Sequence, residues 1–403
     1  MPDKNIVVAF GGMSPEHEVS VLTAMQAISA LEDTDYGLVP LYVTKKGRWL
    51  TGEKLLDLDA YGEIDALVEA SRPCTFSHDD MGRPVLLETV KRGIFSGPRQ
   101  HPIHALIPAF HGSEGENGSF QGACEMYNIP CGGSGVLASS VGMDKVKAKE
   151  LCRAAGVPVV DGISFDESRW EREQDAIITE AENELDYPQI VKPVTLGSSI
   201  GVARASGREE LVEAVENAFR YDRDLLVEKA VRPLMEINCA VLGWEEEARP
   251  SVCERPLGKE ETLSFEDKYQ SGEGVKGMAS ADRVIPADIP DSLARRIQDL
   301  SVQIFRLFRA SGVARLDFLV NADTEEVWFN EINTIPGSFS FYLWEEGGMN
   351  MRDLMLELVE IAVARQRRKM SRIRSYDTNL LSEKAVKGLK GLKGDPGKKK
   401  PPQ

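Results

Sequence analysis

Apolar positions recur along this chain with two periods, every second residue and every third or fourth. Their alternation predicts a mixed α/β fold. Asn5–Phe10 is a β-branched run closed by Gly11 and Gly12, which predicts a strand and a turn. Val19–Leu31 has helical periodicity, and Leu38–Val43 reads as a second strand. This β-loop-α-β order opens an α/β domain with an open parallel sheet. His104–Ala109 reads as a buried strand of the same domain, a glycine-rich loop follows at 111–122, and Asn128–Gly133 closes the unit. Residues 45–100 break at Gly82-Arg83-Pro84 and at Ser96-Gly97-Pro98, so they read as an insertion holding short pieces of structure.

Asp144–Ala155 is a well-marked helix. Asp144 suits the N-cap, Gly156 the C′ position, and Pro158 lies just beyond. Tyr187–Lys192 is a strand stopped by Pro193. The loop T-L-G-S-S-I-G at 195–201 comes next, with a short return strand at Val202–Arg204. A helix over Glu209–Phe219 and a strand over Leu225–Lys229 complete a small α+β unit. Glu236–Leu242 opens a third segment, Leu293–Ser311 reads as an amphipathic helix, and Met351–Ala364 is the final one.

The most informative pattern is a pair of alternating runs, A-R-L-D-F-L at 314–319 and V-W-F-N-E-I-N at 327–333. Residues two apart on a strand share a face. Arg315 therefore goes with Asp317, and Glu331 with Asn333, while Leu316, Phe318 and Ile332 suit a core. Asn321–Thr324 supply the turn of a hairpin that brings Asp317, Glu331 and Asn333 together. Three hard oxygen donors without His or Cys suit Mg²⁺. The chemistry inferred is metal-assisted phosphoryl transfer from a nucleotide; an exposed hairpin with solvated charges is the alternative.

Composition narrows the field. A chain of 403 residues exceeds a single hydrophobic core and predicts two or three domains. Net charge is −16, which argues against nucleic acid as a partner. Six cysteines without a C-x-x-C pair read as reduced thiols of a cytoplasmic protein. No apolar run reaches membrane-spanning length, and MPDKNIVVAF lacks the flanks of a signal peptide. Beyond Arg365 the chain turns basic and ends G-L-K-G-L-K-G-D-P-G-K-K-K-P-P-Q, a composition that predicts a disordered tail.

Other chemistry-bearing residues are weaker singly. Lys192 ends a strand just before the Leu196–Gly201 loop, whose backbone N–H groups suit phosphate oxygens; a bland glycine hairpin is the alternative. There is no G-K-[ST] and hence no P-loop. Lys145 lies in the first turn of the Asp144 helix, as a nucleotide contact or a solvated lysine. Glu228 follows three apolar residues and suits an adenine amino group or an edge salt bridge. Glu236 suits ribose hydroxyls or open water. Glu16, in Glu16-His17-Glu18 after the first strand, lies where open α/β sheets bind ligands, as an ammonium partner or a dipole-favoured carboxylate. His111 ends a strand at the same rim.

In order, these signals become specific. The chain resembles the D-alanine–D-alanine ligase family of ATP-grasp enzymes from about Asn5 to about Arg365. The resemblance is carried by G-G-M-S-P-E-H-E-V-S at 11–20, H-G-S-E-G-E-N-G-S-F-Q-G at 111–122 and G-S-G-V-L-A-S-S-V-G-M-D-K at 133–145. It continues with V-K-P-V-T-L-G-S-S-I-G at 191–201, R-L-D at 315–317 and E-I-N-T-I-P-G at 331–337. It implies a three-domain ATP-grasp fold: residues 1–133 with the 45–100 insertion, 134–231, and 232–366 with the metal site and a lid, before the basic tail at 367–403. It also implies a cytoplasmic homodimer that makes D-alanyl-D-alanine for peptidoglycan precursors from ATP and amino acids, without nucleic-acid or membrane partners.

The roles it implies are these. Lys145, Lys192 and Ser199 contact ATP phosphates, and Glu228, Lys229 and Glu236 surround adenine and ribose. Asp317, Glu331 and Asn333 ligate two Mg²⁺ ions, with Mn²⁺ as a substitute. Glu16 binds the ammonium of the first amino acid, and His111 flanks that substrate. Arg315 and the Gly337 N–H bind its carboxylate and the later oxyanion. Lys268 lies on the lid, and Glu16, Ser198 and Tyr269 latch it. One departure stands out. After Pro336-Gly337 the chain reads S-F-S-F-Y-L-W-E-E, with Tyr342 where the family places a serine for the second amino acid's carboxylate, and Trp344 for a lighter residue. The lid stretch Gln270–Arg283 is also unusual. The second substrate is therefore open: D-alanine, or another amine or hydroxy acid. A catalytically silent ATP-binding paralogue is the reading from another class, and the intact set Lys145, Lys192, Arg315, Asp317, Glu331 and Asn333 argues against it.

Overall fold

The computed structural model describes residues 4–90, 97–257 and 283–373. Its first sheet is built on three parallel strands, with β1 (Asn5–Gly11) between β2 (Gly37–Val43) and β6 (Gln100–Pro108). Every residue of β1 is buried, which explains its unbroken apolar run. The helix α1 (His17–Leu31) packs on it. The sheet is not open, contrary to the sequence reading. The 45–100 segment supplies β3 (Trp49–Thr51), the helix α2 (Ile64–Ala70), β4 (Arg72–His78) and β5 (Pro84–Glu88). These strands pair antiparallel from β2 round to β6 and close a ring. Short strands with mixed faces leave little periodicity to read. The loop after β6 carries the short helices α3 (Ser113–Glu116) and α4 (Ser119–Met126).

Next come α5 (Val136–Met143) and α6 (Lys145–Ala154). Asp144 caps α6 as the sequence predicts, its Oδ1 accepting from Lys147 N at 2.9 Å, and Gly156 takes φ +76° just past the end. A four-stranded sheet follows in the order β7 (Gly162–Asp166), β10 (Asp224–Lys229), β8 (Gln189–Pro193), β9 (Ala203–Ala205). Two helices, α7 (Glu167–Glu184) and α8 (Arg208–Ala218), share its apolar cluster. β7 and α7 went unread in the sequence. Their signals are Asp166, which caps Arg169 N at 2.7 Å, and the buried series Trp170, Ile177, Ile178, Ala181.

The third sheet has the order β13 (Arg283–Val284), β12 (Arg249–Pro256), β11 (Leu234–Trp244), β14 (Ser311–Asn321), β15 (Val327–Asn333). The helix α9 (Asp291–Leu307) covers one face, burying Ile297, Ile304 and Phe305 against Cys239, Leu316 and Phe318. This helix stops short of the expected Ser311, which instead begins β14. Arg309 takes the left-handed conformation (φ +55°) and Ala310 N returns to Phe305 O at 2.9 Å. That is a C-terminal motif built without the glycine that usually signals it. Two helices end the described chain, the short α10 (Tyr342–Glu345) and the 20-residue α11 (Met351–Met370). α11 runs past the expected start of the tail at 367, and residues 374–403, expected to be disordered, lie outside the described residues. Among the described residues no helix is long and apolar enough to cross a membrane.

Gly312 shows why the start of β14 is fixed. A Cβ there would lie 2.5 Å from Gly132 O, and its φ of +76° favours glycine. Val313, Leu242 and Ala240 join the cluster formed by β1, β2 and β6, so one apolar core runs from the first sheet into the third.

The Asp144 cap holds the first turn of the helix that carries Lys145 and Lys149. Asp144→Ala is expected to lower unfolding free energy by about 1 kcal/mol, read from denaturant midpoints. A midpoint equal to the wild type's would contradict the cap.

Candidate active site

The third sheet's uncovered face is graded along its length by register. β11 and β14 pair Leu242 with Val313, Ala240 with Arg315, Asn238 with Asp317 and Glu236 with Leu319. The first pair is core, the middle pairs bring in the polar residues Arg315, Asn238 and Asp317, and Glu236 and Leu319 line a cleft. β15 lies on the other side of β14 with Glu331 opposite Asp317 and Asn333 opposite Arg315. The predicted oxygen trio is therefore together. Asn333 Nδ2 donates to Asp317 Oδ2 at 3.0 Å, and Arg315 grips Asp317 through Nε and Nη2 at 2.7 Å each.

A bulge missed in the sequence completes this arrangement. Phe318 pairs with Phe329 and Asp317 with Glu331, so Asn330 is the extra residue. Phe329 and Ile332 both enter the core, while Asn330 and Glu331 both face away from it. Asn330 Oδ1 accepts from Lys192 Nζ at 3.0 Å.

Lys192 comes from the second sheet. β8 and β10 turn Val191, Leu225 and Val227 to their helices, and Lys192 and Glu228 to the cleft. Glu228 is 1% exposed and meets Lys192 Nζ at 2.7 Å and Lys149 Nζ at 2.5 Å. Burial would raise its pKa, but the two ammonium groups prevail and hold it at about 2. Lys149 is lowered to about 8 by burial, against the pull of Glu228. Lys149 was not singled out in the sequence; it lies four residues after Lys145 on one helix face, which is the signal that finds it. Lys145 Nζ donates to Leu196 O and lies 3.4 Å from Glu331. Ser199, Lys229 and Glu236 line the same cleft, Glu236 being exposed and Lys229 paired with Asp186.

The loop at 195–201 is pinned at its start and at its middle. Thr195 N and Oγ1 donate to Asp222 at 2.7 and 2.8 Å, and Ser198 Oγ donates to Glu16. Ser198 and Ser199 both take left-handed φ, +54° and +57°. Two members of the expected latch thus meet. Lys268, Tyr269 and the stretch 270–282 lie outside the described residues.

The first sheet's rim completes the site. His111 Nε2 bonds Thr23 Oγ1 at 2.9 Å, and Thr23 Oγ1 accepts from Ser338 N at 3.3 Å. Burial first, then Arg315, lowers His111 to about 4, so its imidazole is neutral at physiological pH. Glu116, also missed in the sequence, accepts from Gly112 N at 2.7 Å. Burial and then the charge of Glu16 push it up to about 8. Gly112 (φ +69°) admits this packing, since a Cβ would lie 2.9 Å from Glu16 Oε2. Gly337 begins a tight turn whose Ser338, Phe339 and Ser340 all have φ near +50°. Tyr342 follows, buried, with its OH 3.3 Å from Glu254 Oε1.

Among the described residues no group of three His, Cys, Asp or Glu side chains is arranged to hold a metal ion. The set here is two carboxylates and an amide, all hard oxygen donors. Burial, then Glu331 and Glu254, raise the Asp317 pKa against the pull of Arg315. A carboxylate set that repels itself in a buried place is one a divalent cation relieves, so the residues fit Mg²⁺.

Two sheets facing each other across a lysine-lined cleft define the ATP-grasp class of fold. Family models for the D-ala D-ala ligase N-terminus and C-terminus match residues 5–134 and 151–360. The chain is 35% identical to the D-alanine--D-alanine ligase of Thermosipho melanesiensis, over 95% of this chain and 99% of that one. It is also 35% identical to the ligase of that name from Bacillus velezensis, over 89% and 98%. Among solved structures, the D-alanine-D-alanine ligase from Coxiella burnetii superposes with TM-score 0.73 at 28% identity, covering 96% of this chain and 100% of that one. The VanG D-Ala:D-Ser ligase from Enterococcus faecalis gives TM-score 0.73 at 28% identity, covering 89% and 99%. The chain belongs to the D-alanine–D-alanine ligase family.

The buried trio makes a pH prediction. Glu228 is held below its ordinary pKa of 4.5, so its contribution to stability is present above pH 4.5 and lost as pH falls toward 2. Glu228→Gln is expected to destabilise the protein at pH 7, and the wild-type advantage should shrink over that window. A pH-independent difference in unfolding midpoints would refute the ionic role.

Proposed function

We propose that the chain is an ATP-dependent, ADP-forming ligase that joins two D-alanine molecules through an acyl phosphate. The observation that carries this is one sheet face on which Arg315, Asp317, Glu331 and Asn333 run into a cleft lined by Lys145 and Lys192. The names of the relatives support the reaction. The same reading makes the enzyme a cytoplasmic homodimer serving peptidoglycan synthesis, with domains at 1–133, 134–231 and 232–366.

The roles follow from position. Lys145 and Lys192 hold ATP phosphates, helped by the left-handed backbone at Ser198 and Ser199. Glu236 and Lys229 take ribose and adenine. Glu228 already bonds two lysines and serves chiefly to fix them; a carboxylate oxygen keeps a second acceptor site for the adenine amino group. Glu16 takes the first substrate's ammonium beside Ser198. His111 flanks that substrate and stays neutral. Asp317, Glu331 and Asn333 would hold two Mg²⁺ ions, which when bound neutralise phosphate charge and align the γ-phosphoryl group. Arg315 and the Gly337 N–H face the carboxylate that is activated and then the tetrahedral oxyanion. On this reading Lys268 approaches the transferring phosphoryl group, and Tyr269 joins Glu16 and Ser198 in latching a lid that keeps water from the acyl phosphate.

Products and variants test this reading. ADP and phosphate are expected, with activity lost in excess chelator; AMP and pyrophosphate would sink it. Lys192→Ala should weaken ATP handling. Arg315→Ala should lower kcat by roughly 10²–10³, the usual effect of losing one oxyanion donor. Turnover near wild type in both folded variants would remove them from the mechanism.

Tyr342 favours a second reading within the same chemistry, an acceptor other than D-alanine. A family neighbour is named a D-Ala:D-Ser ligase, so this fold is compatible with another acceptor. With D-alanine as first substrate, a panel of amino and hydroxy acids should contain an acceptor with kcat/KM above that of D-alanine. The change expected is modest, roughly 10–200-fold per methylene recognised. D-alanine as best acceptor, with Tyr342→Ser silent, would return the plain activity.

A further inference from the structure

Behind the nucleotide cleft stands a buried lysine that has no role of its own in the reading above. Lys149 is 3% exposed on α6, four residues after Lys145, and among the described residues it does not line the cleft. Its Nζ donates to Glu228 Oε1 at 2.5 Å. The helix is anchored at that end by the Asp144 cap and by Lys145 N, which donates to Val194 O at 3.1 Å. Lys149 therefore reaches Glu228 from a fixed backbone.

The other oxygen of Glu228 is left over. Oε2 is buried and meets Lys192 Nζ at 2.7 Å as an ion pair, yet it accepts no hydrogen bond. The hydrogen bond of Lys192 Nζ goes to Asn330 Oδ1 at 3.0 Å. A buried acceptor without a donor is costly unless a ligand supplies one. Around it the cleft has apolar walls, Ile190, Val202, Leu234 and Leu319 among them. Apolar walls with one anionic acceptor suit a flat heteroaromatic ring whose edge carries an amino group, as adenine does. An ionised carboxylate only accepts, so it disfavours a base with a carbonyl at that edge. Burial alone would raise the Glu228 pKa, and the Lys149 charge is the largest influence against that.

Resting on the ATP-dependent ligase reading above, we infer that Lys149 is a positioning residue that sets base selectivity: it holds Oε1 of Glu228 so that Oε2 faces the cleft as the acceptor for the adenine amino group. Lys149 itself touches no substrate.

The test uses the full-length enzyme with D-alanine and Mg²⁺, supplied with ATP or with inosine triphosphate, which carries a carbonyl in place of the amino group. Dipeptide is measured. The wild type should prefer ATP by roughly 10²-fold in kcat/KM. Lys149→Met, unbranched and similar in length, should bring that preference to within about tenfold by raising KM for ATP, with KM for D-alanine unchanged. Lys149→Arg, which keeps the charge, should restore part of it. In a Glu228→Gln background, Lys149→Met should move the preference no further, since both changes act through one carboxylate. That double variant removes the charge pair whole, and it is the one to read if Lys149→Met does not fold. A wild-type preference in Lys149→Met, or a further fall in the double variant, would overturn the inference alone. A wild type that forms dipeptide equally well from both nucleotides would overturn the adenine role of Glu228 and this inference with it. Absence of dipeptide from the wild type with ATP would overturn the ligase reading and both.

Discussion

The register of β14 between β11 and β15 is the constraint on which the site depends. It sets Asn238, Asp317 and Glu331 side by side and puts Arg315 next to them, one pair nearer the core. A shift of β14 by one residue would turn Arg315 and Asp317 into the apolar layer under α9, away from Asn238 and Glu331. Gly312 and the core residues Leu242 and Val313 fix one end of the register. The bulge at Asn330 adjusts the other, freeing two consecutive polar side chains from the core.

The second sheet is joined to this one by charge. Glu228 gathers Lys149 and Lys192 in a buried place, and Lys192 reaches across to Asn330. A buried ion cluster is weak evidence for stability, because desolvation offsets much of the attraction. Its value here is positional. Two lysine side chains with several rotatable bonds each are held toward the cleft by a carboxylate they cannot leave without stranding a buried charge.

Part of the left-handed backbone lies around the same centre. Ser198, Ser199, Ser338, Phe339 and Ser340 adopt left-handed backbone without being glycine. Such conformations cost about 1–2 kcal/mol per residue. The first pair lies in the loop tied to Glu16, and the other three follow Pro336-Gly337, with Phe339 buried. Both segments border the proposed site: Ser198 bonds Glu16, and Ser338 N donates to Thr23 Oγ1, the partner of His111.

What the sequence determined by itself was local. Alternation over 314–319 and 327–333 fixed the two strands and their polar faces, and Asp144 and Gly156 bounded α6. The order of the six motifs named the family, because each encodes a backbone shape or a charge that one kind of site requires. Tertiary structure decided what depends on partners distant in the chain. The ring formed by β3, β4 and β5 has short edges whose alternation is too brief to read. The bulge at Asn330 appears only against β14. Lys149 and Glu116 look like ordinary charged residues until burial brings them against Glu228 and Gly112. Glu254 and Arg283 are 29 residues apart, and only the pairing of β12 with β13 brings them together. Sequence period gives each side chain its face; which charges meet on that face is set by register between strands, a long-range property that no local pattern contains.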